Sequence, residues 1–300
     1  MSFSLENTCL KKGCLDGEVA LVTGATSNVG KGFAQALAWA GAKVVVVGRN
    51  ETRGAAVVAE INADNGEGTA IFAKADVGSA EDMAKVKEAA IAAFGKVDIL
   101  LNNAMNLGLN GSILNASLED MDQAYATSAR AVMIAAQLFV PDMIARGHGT
   151  VSYSTTQFHY IPAMLGGAVY TSSKAAATSA TMSLANEVAG KGVNVFCFCP
   201  AGVGAVNPES LKTVDVDTEA IHMPGFPGLI PIEAAGAAMV YSILRGKEMH
   251  GTGFMVTDAL CAMGYPFPVP ETAVPRKIRE QNEYELTMCL TTMGHGFPEA

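Results

Sequence analysis

The sequence predicts an α/β fold, with helices packed on both faces of a doubly wound parallel sheet. Strand-like runs alternate with segments of helical periodicity, and the runs lie near residues 19–23, 43–48, 69–73, 97–102, 149–155, 193–199 and 253–257. Val44–Val47 is an unbroken β-branched run, typical of a parallel strand that is covered on both faces. Because strands and helices alternate, we expect right-handed crossovers between the strands.

The chain is predicted to form a single domain. Its 300 residues, 50% of them hydrophobic, suffice for one large core, and no internal repeat or low-complexity linker divides them. We expect a tail at residues 1–16, the domain at 17–262 and a C-terminal extension at 263–300. The extension contains a proline-rich segment and then a helix predicted from Arg276 to Leu290. We expect this extension either to clasp a neighbouring subunit or to cap a substrate cleft. A mobile tail is the alternative.

Composition argues against several classes of partner. A net charge of −9 without a lysine/arginine cluster argues against nucleic acid and anionic membranes. No uninterrupted apolar segment reaches about 18 residues, and the N-terminus does not resemble a signal peptide, so we expect a cytoplasmic protein. The six cysteines are scattered, unlike a disulfide framework, and the histidines show no ligand spacing. No metal is predicted, because Cys197 and Cys199 fit alternate positions of a buried strand.

A glycine-bearing turn follows the first predicted strand. The apolar run Val19–Val22 leads into Thr23–Gly30, and helical periodicity follows from Phe33. Strand, turn and helix in this order point backbone N–H groups and a helix N-terminus at a pyrophosphate, although the common G-x-G-x-x-G spacing is absent. The residues predicted to bind a dinucleotide here are Gly24, Thr26, Ser27, Asn28, Val29 and Gly30. An ordinary βα turn is the alternative.

Tyr170 and Lys174 lie four residues apart in an alanine-rich stretch that predicts a helix to about Glu187. This spacing places the phenol and the ammonium on one helix face, one turn apart. A free tyrosine has a pKa of about 10, and a nearby positive charge favours the phenolate, which brings the group toward acid–base chemistry. The alternative is a pair that only decorates a solvated helix face.

An ordered series of motifs makes the chain, from about Gly17 to Asp258, resemble a divergent member of the classical short-chain dehydrogenases/reductases. The turn resembles the family's Thr-Gly-x-x-x-Gly-x-Gly, with Asn28 at the middle glycine, and asparagine tolerates positive φ. The further matches are Asp76–Val77, Val97–Ala104, Gly149–Thr156, the Tyr170/Lys174 pair and Asn194–Val203. The resemblance implies a Rossmann-type fold.

The resemblance also implies roles for individual residues. Tyr170 exchanges a proton with the substrate, Lys174 lowers the pKa of Tyr170 and holds the nicotinamide ribose, and Thr156 binds the carbonyl oxygen. Ser128 falls where the family has the asparagine of its catalytic tetrad. The further residues implied to contact the cofactor are Asp76, Val77, Asn103, Ala104 and Val203. Positions that depart from the family pattern are Met105, Ala201 and Ala205.

The end of the second predicted strand indicates the cofactor. It ends in Gly48-Arg49-Asn50, with no carboxylate before Glu51 to repel a 2′-phosphate. Gly48 leaves room for the phosphate and Arg49 can pair with it, so NADP is predicted and NAD is less favoured. Against this, the phosphate turn has no basic residue before Asn28, and Arg49 could instead be a solvated residue on the adenine face.

These patterns predict an NADP(H)-dependent oxidoreductase that interconverts a secondary alcohol and a ketone. Val206–Ile230 is predicted to cover the substrate, and His159 is a candidate substrate contact. The apolar loop residues Met223, Phe226, Leu229 and Ile230 indicate an apolar small molecule, or else they only pack the loop. A homodimer or homotetramer is expected, as in relatives. A cofactor-binding regulator and a structural subunit remain alternatives, because the departures from the family pattern are what lost turnover would predict.

Overall fold

The computed structural model describes residues 4–105, 113–156, 167–200 and 230–264. Within them, seven strands form one parallel sheet, and every pair of neighbouring strands is parallel. In chain order the strands are β1 (Val19–Thr23), β2 (Lys43–Gly48), β3 (Ala70–Lys74), β4 (Ile99–Asn102), β5 (Gly149–Ser154), β6 (Val193–Cys199) and β7 (Gly253–Met255). The spatial order is β3-β2-β1-β4-β5-β6-β7, which confirms the doubly wound sheet and its Rossmann-type topology.

Helices follow the strands along the chain. A short 3₁₀ turn at Leu5–Asn7 comes first. The helices are α1 (Asn28–Trp39), α2 (Glu51–Asn65), α3 (Ala80–Phe94), α4 (Leu118–Tyr125), α5 (Ala131–Arg146), α6 (Ala168–Glu187), α7 (Ile232–Leu244), α8 (Gly246–Met249) and α9 (Val256–Ala262). The runs Ser79–Asp82 and Ser117–Asp120 resemble capping boxes and so predict helix starts. Ser79 and Ser117 indeed cap α3 and α4, by accepting hydrogen bonds from the N–H groups of Asp82 and Asp120.

The two faces of the sheet are covered by different helices. Alternate strand residues such as Leu21 and Val45 form one core cluster with side chains of α3, α5 and α6. On the other face, Phe33 of α1 makes an edge-to-face contact with Phe198 of β6, and α7 packs against α1. Val44–Val47 is fully buried between these layers, as the β-branched run predicts.

The expectation of right-handed crossovers is wrong for the last pair of strands. The chain moves from β1 to β2 in one direction across the sheet and from β6 to β7 in the other, yet α1 and α7 lie on the same face. Because the two connections run in opposite directions past helices on the same face, the β1–α1–β2 crossover is right-handed and the β6–α7–β7 crossover is left-handed. Close contact favours this position: a Cβ on Gly236 of α7 would lie 2.5 Å from the carbonyl oxygen of Gly32 in α1.

The last strand is shorter than the sequence predicts. The apolar run from Phe254 was expected to remain a strand to residue 257, but α9 begins at Val256. The carboxylate of Asp258 accepts a hydrogen bond from the N–H of Met255 at 2.9 Å, and this contact starts the helix.

A continuous helix runs from Leu118 to Arg146, through α4, a π-helical turn at Ala126–Arg130, and α5. Its 29 residues and a mean hydropathy of 1.3 in an 18-residue window match a membrane-crossing helix by length and composition. In this fold the helix packs against α3 and α6, and part of its apolar surface belongs to the core of the domain, whereas Leu118, Met121 and Met133 are exposed.

Candidate active site

The loops that follow β1 and β4 lie side by side, at the point where the strand order of the sheet reverses. This is the usual place for a ligand in open α/β sheets. Gly24 follows β1 with φ of +67°, and a Cβ at this position would lie 2.7 Å from the Cα of Ala104. A Cβ on Gly30 would meet the side-chain nitrogen of Asn103 at 2.6 Å. The turn therefore needs glycine at both positions, which leaves its backbone open to a ligand at this edge.

Asn28 begins α1 with φ of +46°, and it is the only non-glycine residue with positive φ in the described part of the chain. The expectation that asparagine would preserve this turn is confirmed. Short polar side chains enter the left-handed region at lower cost than other residues, because they can hydrogen-bond locally. The backbone geometry of the turn is thus kept although the middle glycine is absent.

The N-terminus of α1 differs from those of the three helices that follow it. Side chains of Asn50, Ser79 and Ser117 cap α2, α3 and α4, whereas Ser27 makes no capping hydrogen bond. The first N–H groups of α1 thus have no side-chain acceptor among the residues that the structure describes, and no acidic residue lies in the first turn of this helix. An uncapped N-terminus beside a glycine turn suits the pyrophosphate of a dinucleotide, which would accept these hydrogen bonds.

Asn103 joins three strands behind this turn. Its side-chain nitrogen donates to the carbonyl oxygen of Thr23 at 3.1 Å, and its side-chain oxygen accepts from the hydroxyl of Ser154 at 3.0 Å. The hydroxyl of Thr23 accepts from the N–H groups of Asn103 and Ala104 at 2.9 and 3.0 Å. Met105 follows without a positive φ, so its departure from glycine leaves this turn intact. The Asn103 side chain therefore fixes the ends of β1, β4 and β5.

The residues that are predicted to bind the adenosine half of the cofactor lie at the ends of β2 and β3. Gly48 is buried, and a Cβ there would lie 2.6 Å from the methyl group of Thr26. Arg49 is exposed and forms no ion pair with the described residues. Asp76 is exposed and its carboxylate accepts from the N–H of Gly78, whereas Val77 is buried. The packing of Thr26 explains why residue 48 carries no side chain, a cause that the sequence did not suggest.

The side-chain hydroxyl groups of Tyr170 and Thr156 lie close together at the carboxyl edge of the sheet. Thr156 lies just beyond β5 and is buried, and Tyr170 lies in the first turn of α6. Burial raises the pKa of Tyr170 to about 12, and the nearby hydroxyl of Thr156 opposes that rise. The structure thus brings together the two hydroxyl groups that the sequence predicts to act on a substrate oxygen.

Lys174 lies one turn further along α6 and is 1% exposed. Its ammonium donates to the carbonyl oxygen of Ser154 at 2.5 Å and lies 4.7 Å from the centroid of the Tyr153 ring. Burial lowers its pKa to about 8. The expectation that Lys174 lowers the pKa of Tyr170 is not met in this structure, because the ammonium is turned toward β5 and the burial of Tyr170 dominates.

Ser128 lies in the π-helical turn between α4 and α5 and is buried. It is close enough to the hydroxyl of Tyr153 to oppose the rise in pKa that burial gives this phenol, yet the hydroxyl of Tyr153 forms no proper hydrogen bond with any described residue. π-Helical turns are rare and often occur at functional sites. Ser128 is therefore placed beside the buried floor of the candidate site.

One group of metal-ligand types occurs among the described residues, and it lies at the opposite edge of the sheet. Oxygen and nitrogen atoms of Glu18, Asp98 and His148 lie within 4.8 Å of one another. Lys96 and Arg146 form ion pairs with Asp98 at 2.8 and 3.2 Å, and its carboxylate also accepts from the N–H of Val19. These contacts give Asp98 a structural role at the start of β1.

Comparison with known proteins decides the family. The model of the short chain dehydrogenase family matches residues 18–213. A 3beta-hydroxysteroid dehydrogenase of Mediterraneibacter gnavus is 36% identical over 239 residues, which cover 78% of this chain and 82% of that protein. The chain belongs to the short-chain dehydrogenase family. It is therefore an NAD(P)-dependent oxidoreductase that acts on alcohols or ketones.

Solved structures of other short-chain dehydrogenases share this fold. L-Sorbose reductase from Gluconobacter frateurii, complexed with NADPH and L-sorbose, has a TM-score of 0.72 and 25% identity, over 80% of this chain and 95% of that one. A 3-ketoacyl-(acyl-carrier-protein) reductase from Brucella melitensis, complexed with NADH, has a TM-score of 0.71 and 27% identity, over 81% and 97% of the two chains. Proteins similar to this short-chain dehydrogenase thus bind either nicotinamide cofactor.

Several residues singled out in the sequence of this short-chain dehydrogenase lie outside the described residues. They are His159, Ala201, Val203, Ala205, Met223, Phe226 and Leu229. Most of the predicted covering loop and nearly all of the predicted C-terminal extension lie there too. Ile230 is described, and it is fully buried, so it packs in the core rather than facing a substrate.

Sequence reasoning missed Tyr153, which lies beneath Lys174. Counting alternate positions along β5 from the buried Val151 would have placed Tyr153 on the same face of the sheet as α6. It also missed the bridge made by Asn103, because a side chain that joins three strands leaves no local signal in the sequence.

Proposed function

We propose that this short-chain dehydrogenase interconverts a secondary alcohol and a ketone, with NADP(H) as its cofactor. The observation that carries the proposal is the proximity of the hydroxyl groups of Thr156 and Tyr170 at the carboxyl edge of the sheet. Lys174, one turn along α6, completes a set of two hydroxyls and one ammonium. Two neighbouring hydroxyls suit a single carbonyl or alkoxide oxygen, because each can donate a hydrogen bond to it.

The protonation state of Tyr170 suits the reduction of a ketone. With a pKa of about 12 the phenol keeps its proton at neutral pH, and it can pass this proton to the oxygen atom as the carbonyl is reduced. The cofactor, when bound, supplies or accepts the hydride. Thr156 holds the same oxygen in place, and its buried position limits the access of water to the transferred proton.

The preference for NADP(H) rests on the end of β2. A carboxylate in place of Gly48 would collide with Thr26, and the exposed guanidinium of Arg49 is free of ion pairs with described residues. It can therefore pair with a 2′-phosphate. The first turn of α1 holds N–H groups for the pyrophosphate, with Asp76, Val77 and Ala104 as neighbours of the adenosine and nicotinamide halves. NAD(H) is the alternative, since no basic residue precedes Asn28 in the turn.

The remaining features follow from the sequence. An apolar small molecule is proposed as the substrate, on the strength of Met223, Phe226 and Leu229 in the predicted covering loop. A cytoplasmic homodimer or homotetramer is proposed, without nucleic acid or membrane as a partner, because the net charge is −9 and basic clusters are absent from the sequence.

Absorbance of the nicotinamide band tests the activity directly. The wild-type protein is incubated with NADPH and a panel of apolar and polar ketones, and with NADP and the matching secondary alcohols, beside the Tyr170→Phe variant as a control. Turnover that the variant lacks supports the proposal. Tight binding of cofactor without turnover of any member would instead support the second candidate, a cofactor-binding regulator, which the serine at position 128 favours.

A further inference from the structure

Two groups of β5 hold the ammonium of Lys174. The carbonyl oxygen of Ser154 accepts a hydrogen bond from it at 2.5 Å, and the ring of Tyr153 presents its face at 4.7 Å from the centroid. No carboxylate of the described residues forms an ion pair with this lysine. A single carbonyl oxygen satisfies one of its three donors, so the aromatic face is the second attractive group that the structure provides.

The titratable groups around Lys174 come from three elements. Tyr153 faces it from β5, Cys197 and Cys199 from β6, and Tyr170 from its own helix. Burial raises the pKa of Cys197 to about 12 and that of Tyr153 further still, so both are neutral at physiological pH. No carboxylate of the described residues neutralises the lysine, so a carbonyl dipole and the electron-rich face of a ring hold its charge on the side of β5.

The hydroxyl group of Tyr153 adds no stability to the fold. The residue is 1% exposed, and its hydroxyl has no hydrogen-bond partner among the described residues. A buried hydroxyl without a partner costs stability, and phenylalanine would fill the same space without that cost. Packing alone therefore does not explain a tyrosine at this position, and its ring face is the part of the residue that meets a charged group.

We propose that Tyr153 is a positioning residue for the reaction, whose ring face holds the ammonium of Lys174 at the floor of the site. This role rests on the proposed function, in which Lys174 belongs to one active-site set with Tyr170 and Thr156. The ring face keeps the lysine charged although it is buried, and it fixes the height of the ammonium above β5. A cation held against an aromatic face away from water is stabilised more than one on the surface.

The titration of Lys174 tests the proposal without any need for turnover. Lysine labelled with carbon-13 at its ε carbon is followed by NMR from pH 6 to about 11, with Lys174→Met to assign the resonance. Wild type is expected to titrate near pH 8. Tyr153→Leu is expected to lower this value by about one pH unit or more, a tenfold change in acidity, whereas Tyr153→Phe, which keeps the ring, should leave it unchanged.

A second series avoids any loss of folding in the leucine variant. Phenylalanine at position 153 is replaced in turn by mono-, di- and trifluorophenylalanine, which keep the shape of the ring and withdraw electrons from its face. The pKa of Lys174 should fall stepwise with each fluorine, and the alkaline fall of kcat/KM should move with it. A flat series, or a leucine variant that titrates like wild type, would overturn the role of Tyr153.

The outcome for Tyr153 is separate from that for the proposed function. A stepwise series in a protein that reduces no ketone contradicts the proposed function and supports the contact between the ring and Lys174. Normal turnover with a flat series supports the proposed function and contradicts the assignment of Tyr153.

Discussion

The hydroxyl group of Thr156, at the end of β5, lies close enough to that of Tyr170, in the first turn of α6, to oppose the rise in pKa that burial gives the phenol. Thr156 is buried and Tyr170 is partly buried, and each hydroxyl can donate a hydrogen bond to a substrate oxygen that lies between them. The pair therefore marks the position where we propose that a substrate oxygen binds, and the predictions for Tyr170 and Thr156 depend on it.

Removing the phenol hydroxyl should stop the reaction and spare the cofactor site. Tyr170→Phe keeps the ring and its packing, so binding of NADPH should change less than about threefold, while kcat falls at least about 100-fold because no acid remains to protonate the oxygen. Steady-state kinetics and a fluorescence titration of NADPH measure the two effects. If the variant keeps more than about a tenth of wild-type kcat, the hydroxyl lowers the activation free energy by less than about 1.4 kcal/mol, and the assigned role is wrong.

Thr156 and Thr155 form a matched pair with different expected outcomes. Thr156→Val cannot donate to the substrate oxygen and should lower kcat/KM at least about tenfold, whereas Thr156→Ser should retain it. The hydroxyl of Thr155 is bonded to that of Thr178 at 2.6 Å, away from Tyr170, so Thr155→Val should cost stability rather than turnover. Kinetics and thermal melts of the three variants check this. An inactive Thr155→Val beside a normal Thr156→Val would move the catalytic hydroxyl to residue 155.

Arg49 should discriminate between the two cofactors. Arg49→Ala is expected to weaken the binding of NADPH about tenfold or more and to leave that of NADH almost unchanged, because only NADPH offers a 2′-phosphate. Arg53→Ala is the control, since Arg53 is also exposed but lies one turn into α2. Titration of both cofactors against the three proteins gives the answer. Tighter binding of NADH than of NADPH by wild type contradicts the preference.

The backbone at Asn28 predicts opposite effects of two small substitutions. With φ of +46°, alanine at this position is strained by about 1 kcal/mol, whereas glycine adopts the same angle freely. Asn28→Ala should therefore lower the melting temperature and weaken cofactor binding, and Asn28→Gly should match wild type in both. Calorimetry and cofactor titration measure these effects. Equal behaviour of the two variants would show that the turn does not depend on positive φ.

The buried charge of Lys174 predicts how stability depends on pH. Its pKa is about 8 in the fold and 10.5 as a free side chain, so the unfolded chain binds more protons between these values, and stability rises with pH there. Above pH 9, Cys197 acts in the opposite direction because burial raises its pKa from 9.0 to about 12. Between pH 8 and 9, wild type should therefore gain about 1 kcal/mol relative to Lys174→Met, as measured by urea unfolding. Parallel curves for the two proteins would show that the lysine is not neutralised in this range.

Much of this architecture follows from local patterns in the sequence. The alanine-rich stretch around Tyr170 predicts a helix to about Glu187, where α6 ends, and the strand predicted at 43–48 from the run Val44–Val47 matches β2. The serine caps predict the starts of α3 and α4. The position of α7 could not be predicted, since it depends on the contact of Gly236 with Gly32, which are far apart in sequence.

The candidate site shows the same division between local and distant effects. The spacing of Tyr170 and Lys174 predicts a shared helix face, but it does not show which way a flexible ammonium turns. That direction is decided by Ser154 and Tyr153, on a strand that reaches α6 only after folding. The pKa of Tyr170 likewise depends on burial, which the spacing of two residues does not reveal.

The bridge made by Asn103 bears on how this enzyme could be re-engineered. A transplanted segment from a homologous reductase can break this bridge. The amide of Asn103 needs the carbonyl oxygen of Thr23 as an acceptor and the hydroxyl of Ser154 as a donor. A chimaera that takes β5 from another parent risks leaving a buried amide without its partner, which costs stability. Crossover points placed after Thr156 would keep all three residues from a single parent, and the foreign segments would then begin where the scaffold ends.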